Sequence, residues 1–352
     1  MSPQKQSSVP QMRPWAPSPR DRALTAATVA AAVIFSVVIV AITPMKGKLA
    51  YFTLFFILWM LIDSLIVLNV KGSKGVRDAL VSKVALLGAT IVTMAVLSIL
   101  WATVSKGIKG INLAFLTQNM REASLFDPIG NGGILHAVVG TLMLIAIATA
   151  ISVPMGILTA LYLTEIKGKA SGLIQFLVQA MSGVPSVVAG LFIYAAIILN
   201  TPLRSSAFLG GLALTILMVP TVTRTAQEVL NLVPRDLREA GLAMGATQWK
   251  TVALVVIPAA RSGLITATIL GVARIAGETA PLLFTVGVFD SYNFNPFKGD
   301  QGTIPTVVWR GLLGGTEESV QRAWSAILVL LVLVLGMFTT ARFFGSKSQK
   351  KA

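Results

Sequence analysis

Eight stretches of this chain run apolar for long enough to cross a bilayer: residues 23–42, 49–70, 81–104, 134–163, 173–199, 207–222, 264–288 and 323–341. A helix rises about 1.5 Å per residue and a hydrocarbon core is about 30 Å thick, so each stretch predicts one membrane-spanning helix. Short polar breaks at 43–48 and at 71–83, the latter carrying Gly72, Ser73 and Gly75, close the first two spans into a hairpin and return the chain to its starting side. Longer non-spanning segments are expected at 105–133 and 290–322, and a polar loop at 223–263. The reading is all-α and polytopic, with a mobile tail over 1–22, an added hairpin and connector over 23–80, a six-helix core over 81–342 and a basic tail over 343–352.

Composition fits a membrane protein, since 55% of the 352 residues are hydrophobic and only 12% are charged. The first span follows Arg20 and Arg22 as a signal peptide would, but it exceeds a typical apolar signal core and no clean small-x-small cleavage site follows, so it is expected to be retained. The net charge of +15 raises the question of nucleic acid. Distribution answers it. With the amino terminus in the cytoplasm, 19 Lys and Arg lie on that side, nine outside and one within the membrane, which predicts cytoplasmic termini, a lipid environment and no nucleic-acid partner. The chain has no cysteine and one histidine, His136, too few for a zinc or di-iron site, so no metal is expected. No Gly-x4-Gly-Lys-Ser/Thr sequence is present to cradle nucleotide phosphates.

Two constellations carry the chemistry. In the polar loop, Pro234 suits a helix start and Gly245 a helix end, which predicts a short helix from Pro234 to Met244 with Leu237, Gly241 and Met244 on one stripe. Thr247 is expected to cap the next helix, and Pro258 to mark its bend toward the membrane. In the seventh span, Arg274 and Glu278 flank the centre at i and i+4, so they share a face and partly neutralise one another. A central charge costs roughly 2.5–3.5 kcal/mol, so both need a partner, water or solute. Pro281 is expected to bend that helix beside Glu278. Arg224, just past the sixth span, reads either as an anion contact or as an interfacial anchor. Gly183 and Pro185 read either as a broken helix or as a simple kink. Asp63 has no evident partner, and His136 reads as interfacial.

The loop spacing, Glu239-Ala240-Gly241, then Gly245, then Val255, Ile257 and Pro258, resembles the signature loop of ABC importer permeases, with Gly241 at the position of that pattern's second alanine. Four stretches resemble PstA-type phosphate permeases more narrowly. These are Gly132 through Gly156, Ser182 through Phe192, Arg224 through Pro258, and Ala273 through Leu283 with its Gly277-Glu278-Thr279-Ala280-Pro281 segment. The resemblance implies a type I importer core and a permease subunit that moves inorganic phosphate without being an enzyme itself. It also implies a second related permease, two ATPase subunits holding the ATP, and an external phosphate-binding protein. Glu239, Ala240, Gly241, Gly245 and Pro258 would serve ATPase coupling. Arg274, Glu278, Arg224 and Thr279 would serve the substrate pathway, with Arg274 meeting the anion and Glu278 moderating the attraction so that the ion also leaves. Alternatives are a permease for sulfate, molybdate or phosphonate, an ion-coupled anion carrier, a membrane scaffold reporting phosphate status, and, least, an intramembrane enzyme.

Overall fold

The computed structural model describes residues 19–43 and 47–347. Most of the expected tail over 1–22, half of that over 343–352 and half of the turn at 43–48 lie outside the described residues, while residues 19–22 and 343–347, expected in the tails, are helical. Seven described helices are long and apolar enough to cross a membrane, and an eighth crossing exists if the bent pair described below counts as one. Contacts divide the chain into two compact units, 1–99 and 100–352.

The first unit contains helix α1, Pro19–Ile42, and most of helix α2, Lys48–Gly107. The segment 71–83, expected as a polar connector, is helical, and Gly72 alone leaves helical geometry with φ 69°. Glycine reaches that conformation without steric cost, so a single residue marks the boundary between the two spans. Asp63 does have a partner: its carboxylate pairs with the Lys83 ammonium, which also stands 5.5 Å from the centre of the Trp59 ring. Both side chains are nearly buried, at 16% and 9% exposed. The charge pattern hid this pair because Lys83 reads as part of a basic connector.

The second unit is built on α4 (Leu135–Leu161), α7 (Ala207–Asn231) and α10 (Ile257–Ala276), closed by α13 (Glu317–Lys347). The short helix α3 (Leu113–Thr117) precedes α4, and α12 (Ile304–Gly314) precedes α13. Small residues let the long helices approach. Gly156 and Gly271 both lie against Val222 of α7, and Gly211 lies against Ile147 of α4. Leu144, Ala148, Met218, Val222, Ile275 and Leu282 fill the middle of the core. A second cluster of Leu161, Leu230, Val256, Ala260 and Leu264 fills one end, and Phe115, Ile134, Ile304 and Ala326 fill the other.

Three helix boundaries differ from the sequence reading. α7 continues to Asn231 instead of ending at Val222, because Thr221, Thr223 and Thr225 each turn a hydroxyl back onto a carbonyl of their own helix and so remain compatible with it. On the other side of the loop, α9 (Gln248–Thr251), a π-turn at Val252–Val256 and α10 run on as one helix. Pro258 therefore lies within a helix and makes no bend. The wider π-turn just before it relaxes the hydrogen-bond ladder where the proline ring would otherwise crowd a carbonyl. The seventh span is the third case. α10 stops at Ala276, residues 277–281 are not helical, and α11 resumes as Leu282–Thr285.

His136 is fully buried, not interfacial, with its ring under Gly302. At that end of the unit Arg322 of α13 is also buried, and its guanidinium donates to the carbonyls of Asp127, Pro128 and Asn131 at 3.1, 2.7 and 2.7 Å. These bonds, all from Nη2, fix the segment before α4, while the buried Nε has no partner among the described residues.

Candidate anion pathway and coupling helix

Helices α5 (Ser171–Ser182) and α6 (Ser186–Ile193) meet at an angle of 104° across Gly183, Val184 and Pro185, far more than a proline kink. Val184 is held out of helical geometry by the following proline, and Pro185 itself, at φ −59° and ψ 139°, starts the next helix. The non-helical stretch 277–281 lies beside this element. A Cβ on Gly190 would fall 2.5 Å from Cα of Pro281 and 2.7 Å from its carbonyl oxygen, so only glycine permits the contact. The depth of the second break follows from its neighbours. Gly271 packs on Met218 and Val222 half-way along α7, while the Thr285 carbonyl accepts from the Ser206 N–H (3.1 Å) at the start of α7. Residues 277–281 therefore lie between the middle and the start of α7.

Where the end of α5 faces α7 and α10, a cavity of about 330 Å³ opens, lined by Met181, Ser182, Leu217, Pro220, Thr221, Arg224, Thr225 and Arg274. That size lies at the low end of the ligand-pocket range of about 300–1,000 Å³. Both sequence-predicted arginines thus reach one space, though they sit 50 positions apart on different helices. Among the described residues neither guanidinium has an ion-pair or hydrogen-bond partner. The hydroxyls of Ser182, Thr221 and Thr225 donate to the carbonyls of Val178, Leu217 and Thr221. Their oxygens can then only accept, which leaves the guanidinium forks as the cavity's charged donors.

Glu278 does not join them. The helix ends before it, so the i, i+4 relation to Arg274 is lost and no ion pair forms between the two. Its N–H donates to the Ile275 carbonyl, and the carbonyl of Thr279 accepts from Leu282 and Leu283, so both residues belong to the turn between α10 and α11. Pro281 does not bend a helix but caps α11.

Two of the larger cavities differ in chemistry. One of about 660 Å³ between α4, α10 and α13 is lined by residues such as Leu142, Ile269, Val334 and Phe338 and contains no charge. The other, about 670 Å³, lies at the loop end and includes Glu165, Arg235, Arg238, Glu239 and Gln248.

The loop helix is present as α8, Arg235–Ala243, with Pro234 as its cap, and Thr247 caps α9 by accepting from the Lys250 N–H. Leu237, Glu239, Ala240 and Met244 are exposed. Gly241 leaves the expected stripe and turns inward: a Cβ there would meet Thr251 Cγ2 at 2.7 Å. Gly245, at φ +80°, reverses the chain after the helix. Arg238, which no local pattern singles out, is the anchor of α8. Its Nε and Nη2 lie 3.0 and 2.7 Å from the two Glu165 oxygens, and its Nη1 and Nη2 donate to the carbonyls of Val233 and Leu230 at 2.6 and 2.8 Å. The hydrogen bond to Glu165 raises the Arg238 pKa further, so this guanidinium is permanently charged. Glu165 lies 73 residues away, and nothing local in the chain signals the pairing.

Comparison with known proteins agrees with this geometry. A family model described as "Binding-protein-dependent transport system inner membrane component" matches residues 152–348, a stretch that contains the cavity and α8. The phosphate transport system permease protein PstA 1 of Mycobacterium tuberculosis (strain CDC 1551 / Oshkosh) is 36% identical over 237 residues, 67% of this chain and 78% of that protein. The phosphate transport system permease protein PstA of Pasteurella multocida (strain Pm70) is 36% identical over 258 residues, 71% of this chain and 88% of that protein. Among solved structures, a bacterial ABC transporter involved in the import of the acidic polysaccharide alginate matches with a TM-score of 0.53 at 16% identity, over 77% of this chain and 96% of that one. That last likeness is one of fold.

Proposed function

The chain belongs to the family of binding-protein-dependent transport system inner membrane components, and from that premise we propose that it is a permease subunit of an ATP-driven importer of inorganic phosphate. It is a multi-pass inner-membrane protein. The observation that carries the substrate class is the pair of unpartnered guanidiniums, Arg224 and Arg274, on one cavity among membrane-spanning helices. Both residues are exposed, and two such charges facing one cavity favour an anion, whose oxygens a guanidinium fork matches. Phosphate near neutral pH carries one or two P–O–H groups and therefore needs acceptors as well as donors. The hydroxyl oxygens of Ser182, Thr221 and Thr225, already donating to their own helices, can supply them. Sulfate, fully deprotonated, would gain nothing from those oxygens. The names of the related permeases point the same way.

In this reading Arg274 and Arg224 meet the ion, and Glu278 and Thr279 line its path in the non-helical stretch beyond. There the half-buried carboxylate of Glu278 keeps the anion from being trapped. The termini and α8 face the cytoplasm, in line with the excess of Lys and Arg on that side. ATP is bound and hydrolysed by two separate subunits docked on the exposed residues of α8. A second, related permease completes the pathway, and an external phosphate-binding protein delivers the ion to the opposite end.

The test is reconstitution. Vesicles holding the complex purified through this chain should accumulate radiolabelled phosphate on addition of ATP, and excess sulfate should not compete. Accumulation by this chain alone, without an ATP-hydrolysing partner, would overturn the reading in favour of a carrier.

A further inference from the structure

Three routes lead from α8 to the walls of the anion cavity, and two are covalent: one through Leu232, Val233 and Pro234 into α7, which carries Thr221, Arg224 and Thr225, and one through Gly245 and Thr247 into α9 and α10, which carries Arg274. The other begins at Arg238. Its fork grips both oxygens of Glu165, whose side chain is only 7% exposed, in the π-turn Tyr162–Ile166 that closes α4. Gln248 of α9 donates to the carbonyl of the same Glu165. Beyond that turn the chain reverses at Lys167, at φ 51°, and enters α5, whose last residues Met181 and Ser182 form the facing wall of the cavity. A hydrogen bond of 3.0 Å from Gln227 of α7 to Gln175 steadies α5 midway.

We propose that the Arg238–Glu165 pair is a positioning link that makes α5 move with α8, so that displacement of the loop helix changes both walls of the anion cavity together. The proposal rests on the importer reading. Geometry supports a transmitting role. A bidentate pair resists both stretch and rotation, whereas a single contact would let α8 pivot. The same guanidinium also holds the carbonyls of Leu230 and Val233 where α7 gives way to α8, the first of which already accepts from the Val233 N–H at 3.2 Å. One side chain therefore fixes the ends of α4 and α7 to α8. The 670 Å³ cavity beside it leaves space into which this joint can swing.

The chain has no cysteine, which permits a reversible test. In vesicles holding the whole complex, ATP hydrolysis and phosphate uptake are measured in parallel for Glu165→Gln, Arg238→Gln and the double variant Glu165→Cys/Arg238→Cys. The single variants should keep ATP hydrolysis but move about tenfold less phosphate per ATP, the scale of one lost charge-assisted hydrogen bond. Bridging the two cysteines with a short bis-methanethiosulfonate reagent, which forms one disulfide with each thiol and releases two methanesulfinates, should restore the ratio, and reductant should abolish it again, while the same treatment leaves the wild type unchanged. A wild-type ratio in the single variants overturns the proposal. So does a parallel loss of both activities that bridging does not reverse, since that is the behaviour of a pair that only anchors α8. Spin labels at Met244→Cys and Gln179→Cys separate this result from failure of the phosphate reading. If ATP shifts both labels together in the wild type but not in Glu165→Gln, the link stands whatever ion is carried, and independent shifts in the wild type overturn it.

Discussion

At the scale of single residues, the cavity sets a clear order of importance. Arg274 and Arg224 have no internal partner among the described residues, so removing either charge leaves no carboxylate stranded and, in the proposed reading, the loss falls on the anion. A charge-assisted hydrogen bond contributes about 1.5–3 kcal/mol, so Arg274→Gln should lower phosphate uptake roughly 10- to 100-fold at an unchanged level of protein in the membrane. Uptake of radiolabelled phosphate in cells, normalised to immunoblots, checks this. Arg274→Lys should recover only part of the activity, because the ammonium keeps the charge and loses the fork. Asp63 behaves in the opposite way, since Asp63→Asn strands the Lys83 ammonium in an apolar hairpin. Breaking a buried pair costs about 3–5 kcal/mol, so the membrane level of that variant should fall, and Asp63→Asn with Lys83→Met should recover it. A fall that persists in the double variant would mean that Asp63 serves something other than its pair. Arg274 stood out in the chain because a guanidinium in an apolar stretch demands an explanation, whereas Arg224, at the start of a polar loop, also read as an interfacial anchor. The Asp63–Lys83 and Glu165–Arg238 pairs were not legible, because each needs a fold to bring distant positions together.

At the scale of elements, the spans were legible and their interruptions only partly. Pro185 with Gly183 read as either a broken helix or a simple kink, and the angle of 104° is that of a break. Pro281 announced a bend, but a gap of five residues formed, because α11 packs at the start of α7 while α10 packs at its middle. Pro258 announced a bend that a π-turn absorbed. Proline marks where a helix is under stress, and the neighbours decide whether it yields. Gly190 follows from the same logic. Its Cβ would collide with backbone atoms of Pro281, which no rotamer change relieves. Gly190→Val should therefore lower stability by about 1–3 kcal/mol, seen as a reduced unfolding temperature of the detergent-purified protein. Gly241 faces the movable side chain of Thr251, so Gly241→Ala should be tolerated, whereas Gly241→Leu should push α8 away from α9 and stop uptake. Full uptake by Gly241→Leu would remove α8 from the coupling route.

At the scale of the whole molecule, composition was enough to find the membrane and the loop spacing enough to find the family. What neither contained is how the second unit is fastened. Arg322 ties α13 to the segment before α4, Arg238 ties α8 to α4 and α7, and Gly190 seats α6 on Pro281. The last of these fastenings has a mechanical meaning of its own. Two knuckles bear against each other with no side chain between them, so neither strand can straighten while its neighbour stays crooked. A joint of that kind has no slack, so any turn of the α5–α6 elbow must carry the 277–281 gap along with it.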